Sequence, residues 1–298
     1  MIPRKGYWPN SLQVVSDGAN GVINIWEEME SQAETATPGF QHTWRIMAQR
    51  VDASGNLSWG ANGITLRTYA DNVSIEEPCA TADGSGGAIV GWHQYPSGPI
   101  DETSPEWLIQ DICTQKIDSN GIILWQSGGI ALQIVKTAEE ANPHTPLAVS
   151  DSAGGAIIMW EDLRNGLASI YAQRMDSNGT TQWQTGGVKV CYVESNSSLS
   201  WRQIAGDGSG GAVISCSFTD NPGILVQKLK SDGSTIWPNN GIYINAKTIT
   251  RYFLASDGHG GALIGWGNGN GNSEKSYIQR VGSDGKLLWG ATGIKLGN

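Results

Sequence analysis

The sequence lacks most of the features that announce a chemistry. No apolar run approaches the roughly 18 residues needed to cross a bilayer, so no helical membrane span is expected. The opening stretch, Met1 to Gly6, has no apolar core of the secretory kind, so an export signal either was removed or never existed. Histidine and cysteine number 4 each and are never closely spaced, which leaves no zinc-type ligand pattern. Nucleophile elbows, phosphate-binding loops and haem motifs are absent, and no cofactor or metal is expected. Charged residues make up only 16% of the chain, and the net charge of -9 argues against nucleic acid as a partner, because that affinity depends on neutralising phosphates.

What is abundant is turn-forming and aromatic. Glycine supplies 40 of the 298 residues, about twice its usual share, and tryptophan supplies 13, while hydrophobic residues reach 39%. That balance describes short strands around a genuine core, not disorder or long surface helices.

Self-similarity sets the architecture. A glycine-rich turn begins at Asp17, Asp83, Asp151, Asp207 and Asp257. Nine residues later stand Trp26, Trp92, Trp160, Cys216 and Trp266, followed after a variable gap by Gln49, Gln115, Gln173, Gln227 and Gln279. Six residues beyond each Gln is a glycine (Gly55, Gly121, Gly179, Gly233, Gly285), and four further on is Trp59, Trp125, Trp183, Trp237 or Trp289. Each unit reads as strands A to D joined by hairpin turns. Strands B and C are apolar on both faces, so each sheet must be covered on both sides. The fold class is therefore all-β: a five-bladed β-propeller with four antiparallel strands per blade. The chain enters at strand A and ends in strand D, so no shared (velcro) blade is expected, and blades 5 and 1 are expected to close the ring by packing. Residues 1–11 read as a tail and 12–298 as one domain.

The pattern Gln-x-x-Asp-x-x-Gly-x-x-x-Trp resembles the tryptophan-docking motif of quinoprotein-like propellers, in which Trp packs on the neighbouring blade. Gly and Trp keep that spacing in all five units, while the acid is displaced to Asp52, Asp118 and Asp176 and replaced by Lys230 and Gly282 in the last two. The resemblance implies only the fold, since nothing in the sequence indicates the eight blades or the cofactor site of quinoprotein enzymes.

Nine of the 13 tryptophans fill repeat slots and read as packing between blades. The basic residue after each Gln (Arg50, Lys116, Arg174, Lys228, Arg280) reads as a solvated strand end, and the turn aspartates as Asx-turn formers. Cys79 and Cys113 fall on strands two apart, beyond disulfide reach, so free thiols are expected.

Departures from the repeat mark the candidates. From the strand-B Trp to Gln the gap is 23 residues in blades 1 and 2 but 13, 11 and 13 in the others, so two adjacent blades carry insertions on one face. Long loops on a rigid scaffold are where binding concentrates. The four tryptophans outside the repeat, Trp8, Trp44, Trp107 and Trp201, map to this face, as do His42, His93 and His144. Acids join them: Glu27, Glu28, Glu30 and Glu34 in the first insertion, Asp101, Glu102 and Glu106 in the second, and Glu76, Glu77, Glu139 and Glu140 between blades. Aromatic platforms beside hydrogen-bond acceptors favour a non-catalytic binding or adhesion module for saccharide, extracellular or on the cell surface. The alternatives are a glycoside hydrolase with paired carboxylates near the central channel, and a scaffold that meets a protein partner or further copies of itself.

Overall fold

The structure is a computed structural model that describes residues 7–32, 41–70, 73–96, 110–135, 144–192, 198–219, 223–238, 240–246, 249–269 and 275–297. Blade 1 consists of β1 (Tyr7–Ser16), β2 (Val22–Gln32), β3 (Gln41–Val51) and β4 (Ile64–Ala70). Blade 2 is β5 (Val73–Ala82), β6 (Ala88–Pro96), β7 (Gln110–Ile117) and β8 (Ile130–Val135). Blade 3 is β9 (His144–Ser150), β10 (Ala156–Asp162), β11 (Ser169–Met175) and β12 (Val188–Tyr192). Blade 4 is β13 (Leu199–Gly206), β14 (Ala212–Phe218), β15 (Ile224–Leu229) and β16 (Ile242–Ile244). Blade 5 is β17 (Ile249–Ser256), β18 (Ala262–Asn268), β19 (Lys275–Val281) and β20 (Ile294–Leu296). Each blade is an antiparallel meander of four consecutive strands, so the chain is a five-bladed β-propeller with no blade shared between its ends. Strand β1 opens at Tyr7, before the boundary expected at residue 12. Among the described residues the helical content is one 3-10 turn, Arg164–Gly166.

Side-chain bonds explain why the repeat residues recur. Asp151 Oδ1 accepts from the backbone N–H of Ala153 and Gly155 at 2.8 Å each, closing the turn between β9 and β10. Asp17, Asp83, Asp207 and Asp257 do the same in their blades, as an Asx turn requires. Gln173 Oε1 accepts from Trp183 N at 3.0 Å and its Nε2 donates to Gln184 O at 2.9 Å, tying strand C to the start of strand D. The basic residue beside it is not a solvated strand end. Arg50, Lys116, Arg174, Lys228 and Arg280 each pair with the turn aspartate of their own blade, at 2.9, 3.5, 3.0, 3.8 and 2.8 Å.

The same residues lock one blade to the next. Trp59, Trp125, Trp183 and Trp237 donate their indole N–H to the carbonyls of Ser119, Ser177, Ser231 and Ser283 in the following blade, at 3.0–3.2 Å. Arg50, Lys116, Arg174 and Lys228 also reach turn carbonyls of that blade. The turn glycine lies under the indole: at Gly179, with φ +85, a Cβ would stand 3.0 Å from the Trp125 ring. Between these bonds run the apolar junctions, such as Ile157, Met159 and Ile170 of blade 3 against Ile214 and Cys216 of blade 4. All four cysteines are free and buried, and Cys191 and Cys216 share that junction's core, where burial pushes the Cys216 thiol well up.

The junction of blade 5 with blade 1 differs from the other four. Among the described residues, Trp289 and Arg280 make none of the next-blade bonds that their four counterparts make, and Arg280 stays with Asp257 alone. Gly55 of blade 1 has the φ +85 of its counterparts, yet nothing lies within 4 Å of the Cβ position where an indole would sit. Ile244 of blade 4 is 0% exposed, whereas Leu296 in the same slot of blade 5 is 50% exposed. Two substitutions account for the weaker fit. The isoleucines Ile46, Ile112, Ile170 and Ile224, all buried against the next blade, give way to Ser276. Asn24 stands where Val90, Ile158, Ile214 and Ile264 face the preceding blade.

Candidate functional site

Strand register builds a ring of positions at the end of each blade opposite the Asp turns. On strand B the residue after the tryptophan slot pairs with the first residues of strand A: Glu27 with Asn10, His93 with Glu76, Glu161 with His144, Ser217 with Trp201, and Gly267 with Arg251. Strand A carries a bulge at this point in every blade. A bulge turns side chains out of the regular pleat and so re-aims them. In blades 1 to 3 the bulge residue is left-handed without being glycine: Ser11 (φ 47), Glu77 (φ 55) and Thr145 (φ 53). Such conformations persist only when the surroundings hold them, and at Glu77 and Thr145 a carboxylate from the preceding blade does so. Glu27 Oε2 accepts from Glu77 N at 3.2 Å, and Glu77 Oε2 accepts from Thr145 N at 2.6 Å.

Around this chain of carboxylates a polar cluster spans blades 2, 3 and 4. Tyr95 Oη donates to Glu76 Oε1 at 2.5 Å, and its ring stacks on His93 with centroids 4.9 Å apart. Glu161 faces Arg202 Nη1 at 3.0 Å across the next junction and His144 Nδ1 at 3.7 Å. His144 Nδ1 also lies 2.9 Å from Thr145 Oγ1. Trp201, beside Arg202, is 44% exposed. His93 Nε2 and Arg202 Nε are buried without a hydrogen-bond partner, an arrangement that costs stability unless something else requires it.

Burial governs the electrostatics. It depresses the His93 imidazole to about 3, helped by the nearby charge of His144, so the ring is neutral at ordinary pH. Burial also raises Glu161, which His144 and Arg202 pull down and Glu77 pushes further up. Tyr95 rises to about 12 through burial and its bond to Glu76. The result is one carboxyl, Glu161, that holds its proton more readily than usual, set among further carboxyl groups and a guanidinium, with a neutral His93 imidazole and a neutral Tyr95 phenol.

The sequence-derived candidates divide. His93, His144, Glu27, Glu76 and Glu77 converge on the ring. Glu27, Glu28 and Trp44 are strand residues, because part of the first insertion goes into lengthening the β2–β3 hairpin. Glu28 accepts from Trp26 Nε1 at 3.4 Å and pairs with Arg45 at 3.7 Å, while Trp44 packs partly buried beside Tyr69 at the blade 1–2 core. Both serve the scaffold. Trp8, Glu30 and His42 lie on β1, β2 and β3, and their side chains are outside the description. Glu34, Asp101, Glu102, Glu106, Trp107, Glu139 and Glu140 lie outside the described residues. Sequence reasoning missed Tyr95, Glu161 and Arg202. The slot after the strand-B tryptophan was the available signal: it reads Glu27, His93, Glu161, Ser217, Gly267, polar or minimal in a strand otherwise apolar. Among the described residues no group of three or more His, Cys, Asp or Glu could hold a metal ion, and no helix is long and apolar enough to cross a membrane.

No protein-family model matches the chain, and no curated protein sequence matches it. Among solved structures it is similar to a protein of unknown function from Dyadobacter fermentans DSM 18053, with TM-score 0.56 and 9% identity over 92% of this chain and 79% of that one. It is similar to a Hadza microbial sialidase, with TM-score 0.51 and 10% identity over 95% of this chain, and spans 57% of that enzyme's length. It is also similar to a PL25 ulvan lyase, with TM-score 0.51 and 10% identity over 93% of this chain and 68% of that one. The ulvan lyase bound to -[GlcA(1-4)Rha3S]- superimposes with TM-score 0.50 and 9% identity, over 96% of this chain and 69% of that one. At such identities the likeness establishes the fold alone.

Proposed function

We propose that the chain is a saccharide-binding propeller, acting outside the cell or on its surface, whose ligand rests on the bulge ring of blades 2 to 4. The observation that carries this reading is the convergence of Glu76, Glu77, His93, Tyr95, Glu161 and Arg202, with buried polar atoms of His93 and Arg202 left unpartnered and Trp201 exposed next to Arg202 in the chain. A sugar offers alternating hydroxyl donors and acceptors on an apolar ring, which suits carboxylates and a guanidinium set beside an indole face. Two of the structural neighbours are a sialidase and a lyase bound to an acidic oligosaccharide, which supports the substrate class. Trp8, Trp107, Asp101, Glu102 and Glu106 are proposed as the rim of the same face. The tryptophan repeat remains a proposed relative of the quinoprotein docking motif, supported by its blade-to-blade indole bonds, and it serves the scaffold.

A glycan array probed with the labelled chain tests the reading. Trp201→Ala and Arg202→Gln are expected to lose binding by about tenfold or more, and Trp44→Ala to keep it. Unchanged binding by the first two variants would refute the placement. A second reading, glycoside hydrolysis, is favoured by Glu161, whose carboxyl burial raises and whose neighbour is a second carboxyl, Glu77, the pairing of acids such chemistry uses. Reducing-sugar release by the wild type, abolished in Glu161→Gln, would establish it, and no release from any array-positive glycan would dismiss it.

A further inference from the structure

Propeller junctions in this chain are heterologous: each blade offers an indole and a cation on one side, and a turn with an open glycine on the other. Four junctions use that pairing. Both halves of a fifth exist, and among the described residues the bonds that join the other four are not made between them. Blade 5 presents Trp289 and Arg280, without next-blade acceptors among the described residues, together with Phe253, Ile294 and Leu296, which are 66%, 47% and 50% exposed. Blade 1 presents the Asp52–Gly55 turn with nothing over Gly55, together with Leu12, Val14 and Leu57, which are 63%, 55% and 48% exposed. In β17 the alternation assigns Phe253 to the free side, because Tyr252 and Leu254 pack against blade 4. In β1 it assigns Val14 likewise, because Val15 packs toward blade 2.

We propose that this pair of faces is an interface between copies of the chain, blade 5 of one copy docking head to tail on blade 1 of a second. The occupant follows from the repeat itself: the face that Trp289 and Arg280 fit is the start of a blade, and blade 1 carries one uncovered. End repeats of stacked arrays otherwise need polar caps to stay apart, and here apolar side chains are exposed on both ends. Asn24 and Ser276 remove aliphatic contact that the internal junctions have, so the association is weaker than a blade junction and depends on concentration. A head-to-tail contact leaves one free face at each end of the assembly, so growth continues unless the rotation closes.

Sedimentation velocity of the full chain over a wide concentration range tests this. Wild type is expected to shift from monomer to dimer and larger species as concentration rises. Two lesions separate the ends: Trp289→Ala with Arg280→Ala on blade 5, and Val14→Lys on blade 1. Each variant alone is expected to stay monomeric, and an equimolar mixture to give a heterodimer that grows no further, because each partner supplies the face the other lacks. Leu296→Lys provides a second blade 5 lesion should the double variant fail to fold. A wild type that stays monomeric throughout, or a mixture that fails to pair, would overturn the proposal. So would association that survives both lesions.

Discussion

Asp111 on β7 is ionisable, 6% exposed and poorly satisfied: Gln94 Nε2 lies at 3.4 Å from Oδ2, and Oδ1 has no partner. Burial raises its pKa from 3.8 to about 7, with Gln94 offsetting a little. The folded protein therefore keeps the proton between those values while the unfolded chain gives it up, and stability falls as pH rises through that window. A gap of about three units corresponds to roughly 4 kcal/mol lost by pH 8, about 1.5 kcal/mol by pH 5 and under about 1 kcal/mol at pH 4. Asp111→Asn keeps the shape, removes the charge, and can donate to Gln94 Oε1, which is also unpartnered. Urea unfolding of both proteins at pH 4 and pH 8 is expected to show the variant more stable by about 2–4 kcal/mol at pH 8 and nearly level at pH 4. An equal difference at the two pH values, or no gain at pH 8, would refute the electrostatic reasoning.

Three further outcomes are expected. Trp183→Ala, which empties a buried junction and strands the Ser231 carbonyl, costs about 3–5 kcal/mol, whereas Trp289→Ala in the same slot of blade 5 costs about 1 kcal/mol or less in monomeric protein; denaturant midpoints compare them. His93 is neutral when folded because burial lowers it from 6.5 to about 3, so its contribution is present above pH 6.5 and is lost as pH falls toward 3. Asp111 opposes that loss in wild type; in the Asp111→Asn background, stability therefore drops by about 3 kcal/mol between pH 6.5 and 4, and adding His93→Gln flattens the profile. Asp151→Ala removes the oxygen that accepts from two backbone amides and the Arg174 partner from one hairpin, lowering stability by about 1–3 kcal/mol in thermal melts.

The scaffold was legible because it is written five times. Asp, Gln, Gly and Trp recur at fixed offsets, and each does one job in the backbone bonding of every blade, so counting copies gave both strand order and blade number. The basic residue after Gln was misread because its partner Asp lies 21 to 33 residues away in sequence, in a turn that only the hairpin brings near. The looser junction of blade 5 with blade 1 was not read because it turns on single residues, Asn24 and Ser276, that lie outside the repeat pattern. The site was legible in its face and less so in its members. Length differences pointed to the loops, while Glu161, Tyr95 and Arg202 are strand residues whose meeting depends on a one-residue bulge and on neighbours from another blade.

Solving the structure of the chain with the oligosaccharide that binds best on the array tests the functional account most directly. The ligand is expected over Trp201, with hydrogen bonds to Arg202 and to at least one of Glu76, Glu77 and Glu161. A ligand seated away from the bulge ring, on the outer flank of a blade or on the Asp-turn face, would contradict it.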